Sequence, residues 1–109
     1  MIRLFATTVS PFALIVVAAS AEAAVIEVTI TGLSFSPAEV TAEVGDTIEW
    51  TNKDFVAHTA TARDKTTFDV LIPAHGAGSL IVKAPGTVDY YCRFHPTMKG
   101  RIQTRGDGH

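Results

Sequence analysis

Cysteine is almost absent from this chain, because Cys92 is the only one among 109 residues. One cysteine excludes an internal disulfide, although small exported domains often rely on disulfides or a bound metal for stability. A lone exposed thiol would also be a liability in an oxidising compartment. Three explanations remain for Cys92: a buried and inert side chain, a disulfide partner for another chain, or a metal ligand.

Positive charge is scarce as well, and it is unevenly distributed. The formal net charge of −2 argues against a general nucleic-acid binder, because such a protein would be basic overall. Residues 24–49 contain five acidic side chains and no lysine or arginine, whereas residues 93–105 contain four cationic side chains and no acid. The cationic segment permits an acidic partner near Cys92, and ordinary solvated charge explains it equally well.

The first 23 residues have the features of a cleaved secretory signal peptide. Arg3 provides a positive start, residues 12–19 are the densest apolar run, and Ala21-Glu22-Ala23 is a small-residue cleavage site. The alternative is a retained membrane anchor, but the run is short for a span of about 20 residues. Ala19-Ser20-Ala21 is a second candidate cleavage site, and no twin arginine is present. We therefore predict Sec-type export to a bacterial periplasm, with residues 24–109 as a single domain that ends in a loose tail.

The remainder of the chain reads as short strands, with no helical or internal repeat and no low-complexity segment. Apolar and polar residues alternate, as in residues 26–30 (IEVTI), and turn residues such as Gly45-Asp46 separate the runs. About seven or eight such strands predict an all-β domain built as a β-sandwich or Greek-key barrel. The alternation places His58 on the same face as Ala60, and Cys92 on the same face as Tyr90. Both candidate ligands should therefore point inward, near strand ends.

Residues 90–100, YYCRFHPTMKG, carry three ligand types at three-residue intervals: Cys92, His95 and Met98. Taken singly, each has an ordinary explanation: a small buried hydrophobe, a turn residue before proline, and a core methionine. Together with an inward His58, they match the two imidazoles, one thiolate and long axial thioether of a blue-copper site. Zinc prefers tetrahedral sets without methionine. The pattern therefore predicts a copper site that folding of the sandwich largely preforms.

The same stretches resemble the cupredoxins of the amicyanin and plastocyanin type. The matching segments are FSPAEVTAEVGDTIEWTNKD, AHTAT and PGTVDYYCRFHPTMKGRI, and the short step from histidine to methionine is similar to that of amicyanin. The resemblance implies an eight-stranded Greek-key β-sandwich with one type 1 copper ion. It implies His58, Cys92 and His95 as strong ligands and Met98 as the weak axial ligand. It also implies that Asn52 braces the ligand loop near the cysteine, and that Pro96 flanks a partly exposed histidine.

Such a site predicts a small, monomeric electron carrier that exchanges electrons with protein partners through His95. We predict an apolar docking patch around His95 and steering of an acidic partner by Arg93 and Lys99. We also expect the Phe94 amide to donate a hydrogen bond to the Cys92 sulfur. The patch consists of Ala57, Phe94, Pro96 and Thr97.

Two other functions are compatible with parts of the pattern. The first is a copper carrier or storage protein with the same ligands, although the chain lacks the Met-rich or His-rich tracts that such proteins often show. The second is an enzyme with Cys92 as its nucleophile. No Gly-rich loop or acidic orienting residue marks such an active site, so we predict that the protein is not an enzyme.

Overall fold

The computed structural model describes residues 22–106. The predicted signal peptide, apart from its last two residues, lies outside the described residues, as does most of the predicted C-terminal tail. Within the described range, no helix is long and apolar enough to cross a membrane.

Nine β-strands form two packed sheets. The first sheet has the order β2-β1-β4-β7 and the second has the order β3-β9-β8-β5-β6. Their bounds are β1 Val25–Thr31, β2 Ser34–Ser36, β3 Glu39–Glu43, β4 Thr47–Asn52, β5 His58–Ala62, β6 Asp69–Ile72, β7 Ala77–Ile81, β8 Gly86–Tyr91 and β9 Lys99–Arg105. Two pairs, β1 with β4 and β3 with β9, are parallel and join strands that are not consecutive. The chain therefore crosses between the sheets, and the predicted all-β sandwich is confirmed.

The alternation of apolar and polar residues decides which face of each strand is buried. In β3 and β4, every second residue is buried and faces the opposite sheet. Ile48 of β4 and Ile30 of β1 are both fully buried, and each contributes roughly 1.5–3 kcal/mol through removal of its side chain from water. The core between the sheets is therefore made by the residues that the period-two pattern singles out.

An aromatic cluster fills the centre of the core. The Trp50 Nε1–H group donates a hydrogen bond of 3.2 Å to the Tyr90 hydroxyl, and Phe35 packs edge-on against the Tyr90 ring. Burial raises the pKa of Tyr90 to about 12, so its hydroxyl stays neutral. Gly100 lies opposite Tyr90 on β9, and a Cβ atom there would come within 2.2 Å of the Tyr90 ring. Only glycine leaves room for the tyrosine at this pair.

The observed strands number one more than the eight that the family resemblance implies. The additional strand is β2, which has three residues and only one buried side chain, Phe35. The sequence analysis also did not single out β6, in which only Ile72 is fully buried. Strands this short contain too few alternating positions for a period-two pattern to stand out.

β5 differs from a half-buried strand, because all five of its residues are buried. His58, Ala60 and Ala62 face inward as predicted. Thr59 and Thr61 take the other face, where the Thr59 hydroxyl accepts a hydrogen bond from the Arg93 amide and contacts the Thr61 hydroxyl. The segment that follows Cys92 thus covers this part of the outer face.

The ends of several strands meet at one end of the sandwich, which we call the site end. β4 and β8 end here, at Asn52 and Tyr91, while β5 and β9 begin here, at His58 and Lys99. Tyr91 pairs with Lys99, so the segment 92–98 makes a closed turn between β8 and β9. The loop from 53 to 57 lies at the same end, directly before His58.

Candidate metal centre

Three ligand atoms meet at the site end. The Cys92 Sγ atom lies 3.7 Å from His58 Nδ1 and 3.8 Å from His95 Nδ1. The ligand atoms of all three residues lie within 4.8 Å of one another. Bonds of about 2.0 Å to imidazole and about 2.3 Å to thiolate, as zinc makes them, can join a sulfur and a nitrogen up to about 4.3 Å apart, so both sulfur–nitrogen distances suit a shared ion. The three side chains therefore converge on a position where one metal ion could bind.

His58 is held by a carboxylate on its far side. Its Nε2 atom lies 2.9 Å from the Asp54 Oδ2 atom, while its Nδ1 atom faces Cys92. A carboxylate can only accept, so the proton of the neutral ring stays on Nε2 and leaves Nδ1 free to bind metal. This arrangement fixes both the tautomer and the orientation of His58.

Asp54 is itself anchored to the turn between β1 and β2. Its carboxylate accepts hydrogen bonds from the Gly32 amide at 2.8 Å and from the Leu33 amide at 3.0 Å. The Leu33 amide and, to a smaller extent, His58 hold the pKa of Asp54 below its usual value. The sequence analysis did not single out Asp54, because the backbone amides that hold its carboxylate lie 21 and 22 residues away in the chain.

Asn52 braces the His58 side of the site. Its side-chain amide donates to the Val56 carbonyl at 2.8 Å and to the Pro73 carbonyl at 3.1 Å, and its oxygen accepts the Asp54 amide at 2.9 Å. Asn52 ends β4, in the sheet opposite the one that carries Cys92. The predicted bracing therefore acts on the loop that leads to His58, rather than on the loop that follows the cysteine.

Cys92 immediately follows β8 and is fully buried. The Thr59 amide donates a hydrogen bond of 3.4 Å to the Cys92 Sγ atom. The sulfur thus receives from β5 the kind of hydrogen bond that we expected from the Phe94 amide. The Phe94 side chain lies at the surface, 49% exposed. The turn is closed by backbone bonds from the Cys92 amide to the Met98 carbonyl and from the Met98 amide to the His95 carbonyl.

Met98 is buried, with 2% of its surface exposed, where the turn returns to β9. Its backbone accepts a hydrogen bond from the Cys92 amide and donates one to the His95 carbonyl. Burial suits both a core methionine and an axial ligand. The assignment of Met98 as the weak ligand stays a prediction.

The surface around His95 is largely apolar. His95 is half-buried, whereas Phe94, Pro96 and Thr97 of the predicted docking patch are exposed and Ala57 is half-buried. The loop before His58 adds two further exposed apolar residues, Phe55 at 88% and Val56 at 47%. Exposed apolar residues that gather into a patch are typical of a site that contacts another molecule.

The two cations predicted to steer a partner differ in their surroundings. The Arg93 guanidinium forms an ion pair of 3.1 Å with Asp69, which also accepts a hydrogen bond from the Thr61 hydroxyl. The Thr61 hydroxyl and, after it, Arg93 hold the pKa of Asp69 below its usual value, so the acid is charged and offsets Arg93. Lys99 is exposed and takes part in no ion pair among residues 22–106.

A two-sheet sandwich with a Cys-His-His cluster at one end, buried at His58 and Cys92 and half-buried at His95, defines the cupredoxin class of proteins. A family model described as the cupredoxin-like domain matches residues 4–103. The chain belongs to this family.

Similar proteins narrow the class to amicyanins. The chain is 31% identical over 81 residues to Amicyanin-alpha of Methylorubrum extorquens, covering 70% of this chain and 68% of the relative. It is 31% identical over 98 residues to Amicyanin of Paracoccus denitrificans, covering 85% of this chain and 72% of the relative. The Cu(I) form of an amicyanin variant has a similar structure, with a TM-score of 0.66, 28% identity, and coverage of 74% of this chain and 82% of that one. The protein is thus a cupredoxin of the amicyanin type, and its site supports one type 1 copper ion as the cofactor.

Proposed function

We propose that this protein carries single electrons between protein redox partners through one type 1 copper ion held by His58, Cys92, His95 and Met98. One observation carries the proposal: the thiol and the two imidazole nitrogens lie within 4.8 Å of one another inside a folded domain. Copper bound to a thiolate and two imidazoles supplies a one-electron couple between Cu(I) and Cu(II). The similarity to two amicyanins supports the same function.

The residues around the ligands keep the site rigid. Asp54 fixes the orientation of His58, and the Thr59 amide fixes the position of the Cys92 sulfur. Every buried side-chain nitrogen and oxygen of the described residues has a hydrogen-bond partner, so the polar network is complete. A site that cannot adjust its ligands changes little between two oxidation states, which favours fast electron exchange.

His95 provides the route to the surface. It is the least buried of the three ligand residues, and its neighbours in the chain, Phe94, Pro96 and Thr97, are exposed. An apolar partner surface can exclude water at this patch and bring its redox centre close to His95. Lys99 attracts an acidic rim on that partner, with a smaller contribution from Arg93 because Asp69 offsets its charge.

The geometry favours a carrier over an enzyme. The Cys92 side chain is 0% exposed and faces two imidazoles, so no substrate reaches its sulfur. Two surface cavities of the described residues, about 640 and 310 Å³, are lined by residues other than His58, Cys92 and His95. A nucleophilic cysteine needs both access and a neighbouring cleft.

We place this function in a bacterial periplasm, after removal of the leader and as a monomer. The support is the signal-peptide pattern of residues 1–23. A buried, metal-bound Cys92 also suits an oxidising compartment, because a free exposed thiol would be oxidised there.

Voltammetry of the copper-loaded mature chain tests electron transfer against copper handling. We expect a reversible one-electron wave, with copper retained through repeated cycles in the presence of a Cu(I) chelator. Loss of the metal on each reduction would instead indicate a copper carrier that releases its cargo.

Reversing the charge of Lys99 tests whether this residue attracts an anionic redox partner. We expect Lys99→Glu to slow oxidation of the Cu(I) protein by hexacyanoferrate(III), an anionic probe, by roughly threefold to tenfold at low salt. The difference should shrink as salt rises, because screening shortens the range of the field to about 10 Å at 0.1 M. Lys83→Glu is the matched control, since Lys83 precedes β8 and Cys92 follows it, roughly 20 Å further along the strand. Equal oxidation rates for Lys99→Glu and Lys83→Glu at low salt would refute the role of Lys99 in attracting the partner.

A further inference from the structure

Ala24 is the first residue of the described chain that hydrogen-bonds to the rest of the fold. Its amide donates a bond of 2.9 Å to the Asp46 Oδ1 atom, and its carbonyl accepts the Thr47 amide at 2.9 Å. Glu22 and Ala23, directly before it, are exposed and lie outside any strand. The fold therefore holds the chain from Ala24 onward.

The two oxygens of Asp46 have separate partners. Oδ2 accepts the Glu43 amide at 2.8 Å, while the Asp46 amide donates to the Glu43 carbonyl, so this half of the carboxylate closes the turn between β3 and β4. Oδ1 takes no part in the turn and faces the Ala24 nitrogen. Asp46 is only 8% exposed and is the one buried acid among residues 22–106.

Cleavage between Ala23 and Ala24 would change the charge of the atom that Asp46 contacts. Hydrolysis consumes one water molecule, breaks the peptide C–N bond, leaves a carboxyl group on Ala23 and frees the Ala24 amine. An α-amine has a pKa of about 7.7–8.0, so it takes up a proton at neutral pH. Hydrogen bonds in which both groups are charged are shorter and stronger than neutral ones.

Only one of the two candidate cleavage sites gives this result. A cut after Ala23 places the new ammonium on Asp46, at the position of the Ala24 amide. A cut after Ala21 leaves the ammonium on Glu22, two residues and up to about 7 Å of extended chain away. The contact of Asp46 thus distinguishes two sites that look alike in the sequence.

We propose that Asp46 is the receptor for the processed N terminus: cleavage after Ala23 converts the Ala24 amide into an ammonium that pairs with Asp46. The pair secures the start of β1, which lies between β2 and β4 in the first sheet. This inference rests on the export that belongs to the proposed function.

The first test is the N terminus of the exported protein. The full chain is expressed in a Gram-negative bacterium, and intact mass and N-terminal sequence are determined for the periplasmic product. A start at Ala24 supports the proposal, and a start at Glu22 or any other residue overturns it. Export failure, with the leader retained, would count against the periplasmic location as well, whereas copper binding is read separately from the visible spectrum.

The second test measures the coupling between the terminus and Asp46. Forms that begin at Ala24 or at Glu22 are made by fusion cleavage, each with Asp46 or with Asp46→Asn, and unfolded in urea at pH 6. We expect the substitution to lower the folding equilibrium constant roughly fivefold more in the Ala24 form, because only that form loses a charged pair. Asp64→Asn is the control, since Asp64 also accepts two backbone amides but has no contact with Ala24.

An equal effect of Asp46→Asn in both forms would overturn the proposal. If the Asn variant does not fold, the Ala24 form acetylated at its amine takes its place. Acetylation removes the charge and keeps an amide donor, so the acetylated form should match the Glu22 form in stability. An acetylated form as stable as the free amine would refute the ion pair.

Discussion

Removal of the Asp54 carboxylate should weaken copper binding by about 10–100-fold, the usual effect of losing the hydrogen-bond partner of a metal-binding histidine. Asp54 accepts from His58 Nε2 and so keeps the ring proton away from Nδ1, the atom that faces Cys92. In Asp54→Ala, the proton can move to Nδ1 and the ring can rotate. Either change takes a free nitrogen away from the metal.

The geometry also predicts how the copper affinity of a milder variant, Asp54→Asn, compares with that of Asp54→Ala. Oδ1 of Asp54 accepts from the Gly32 amide, whereas Oδ2 accepts from both the Leu33 amide and His58. Asparagine with its oxygen at the Oδ2 position keeps the last two bonds and loses only the one to Gly32. Asp54→Asn should therefore bind copper more tightly than Asp54→Ala and more weakly than the unmodified chain.

Competition with a Cu(I) chelator of known affinity measures these differences directly. A second readout is the Nε2–H proton resonance of His58, which should shift or exchange faster in Asp54→Ala. Asp64→Ala is the matched control, because Asp64 also caps backbone amides but does not contact any of the candidate ligands. An affinity of Asp54→Ala within twofold of the unmodified chain would refute the role given to the carboxylate.

Two further predictions concern stability. Gly100→Ala should lower the free energy of unfolding by about 1–3 kcal/mol, because the new Cβ atom overlaps the buried Tyr90 ring. Gly106→Ala, where the nearest atom lies 3.9 Å away, should have little effect in the same urea titration, and similar losses in both variants would contradict the packing argument. The second prediction is that the metal-free chain loses stability in acid. Hydrogen bonds hold the pKa values of Asp46, Asp54 and Asp69 below the ordinary range and that of Asp64 at about 2, with Thr67 the main cause for Asp64. Because these folded-state values are depressed, the stabilisation is complete above the unfolded value of about 3.9 and is lost as pH falls toward about 2. Urea midpoints that stay constant between pH 5 and pH 2 would contradict this sign.

The sequence contains most of the information about the sandwich and about which way the ligands point. Alternation in residues 26–30 and 47–51 identifies strands whose buried residues make the core. The same rule places His58 and Cys92 inside, and the structure brings both to the site end with His95. These predictions work because a strand exposes and buries alternate residues over a distance that a short pattern can reveal.

Contacts between distant segments leave no such pattern. Asp54 reaches the turn at Gly32, and the Thr59 amide reaches the sulfur of Cys92, 33 residues away. The ion pair of Arg93 with Asp69 likewise joins residues far apart in the chain, and it changes which cation is available to a partner. Such contacts depend on how strands pair, which periodicity alone does not determine.

The visible absorption spectrum of the purified mature chain, recorded as Cu(II) is added, tests the central claim most directly. A thiolate and two imidazoles around one copper ion predict an intense blue band that saturates at one equivalent, disappears on one-electron reduction and is absent from Cys92→Ser. A colourless protein, or one with only weak bands that Cys92→Ser retains, would show that Cys92 does not bind Cu(II) in this geometry and would contradict the account.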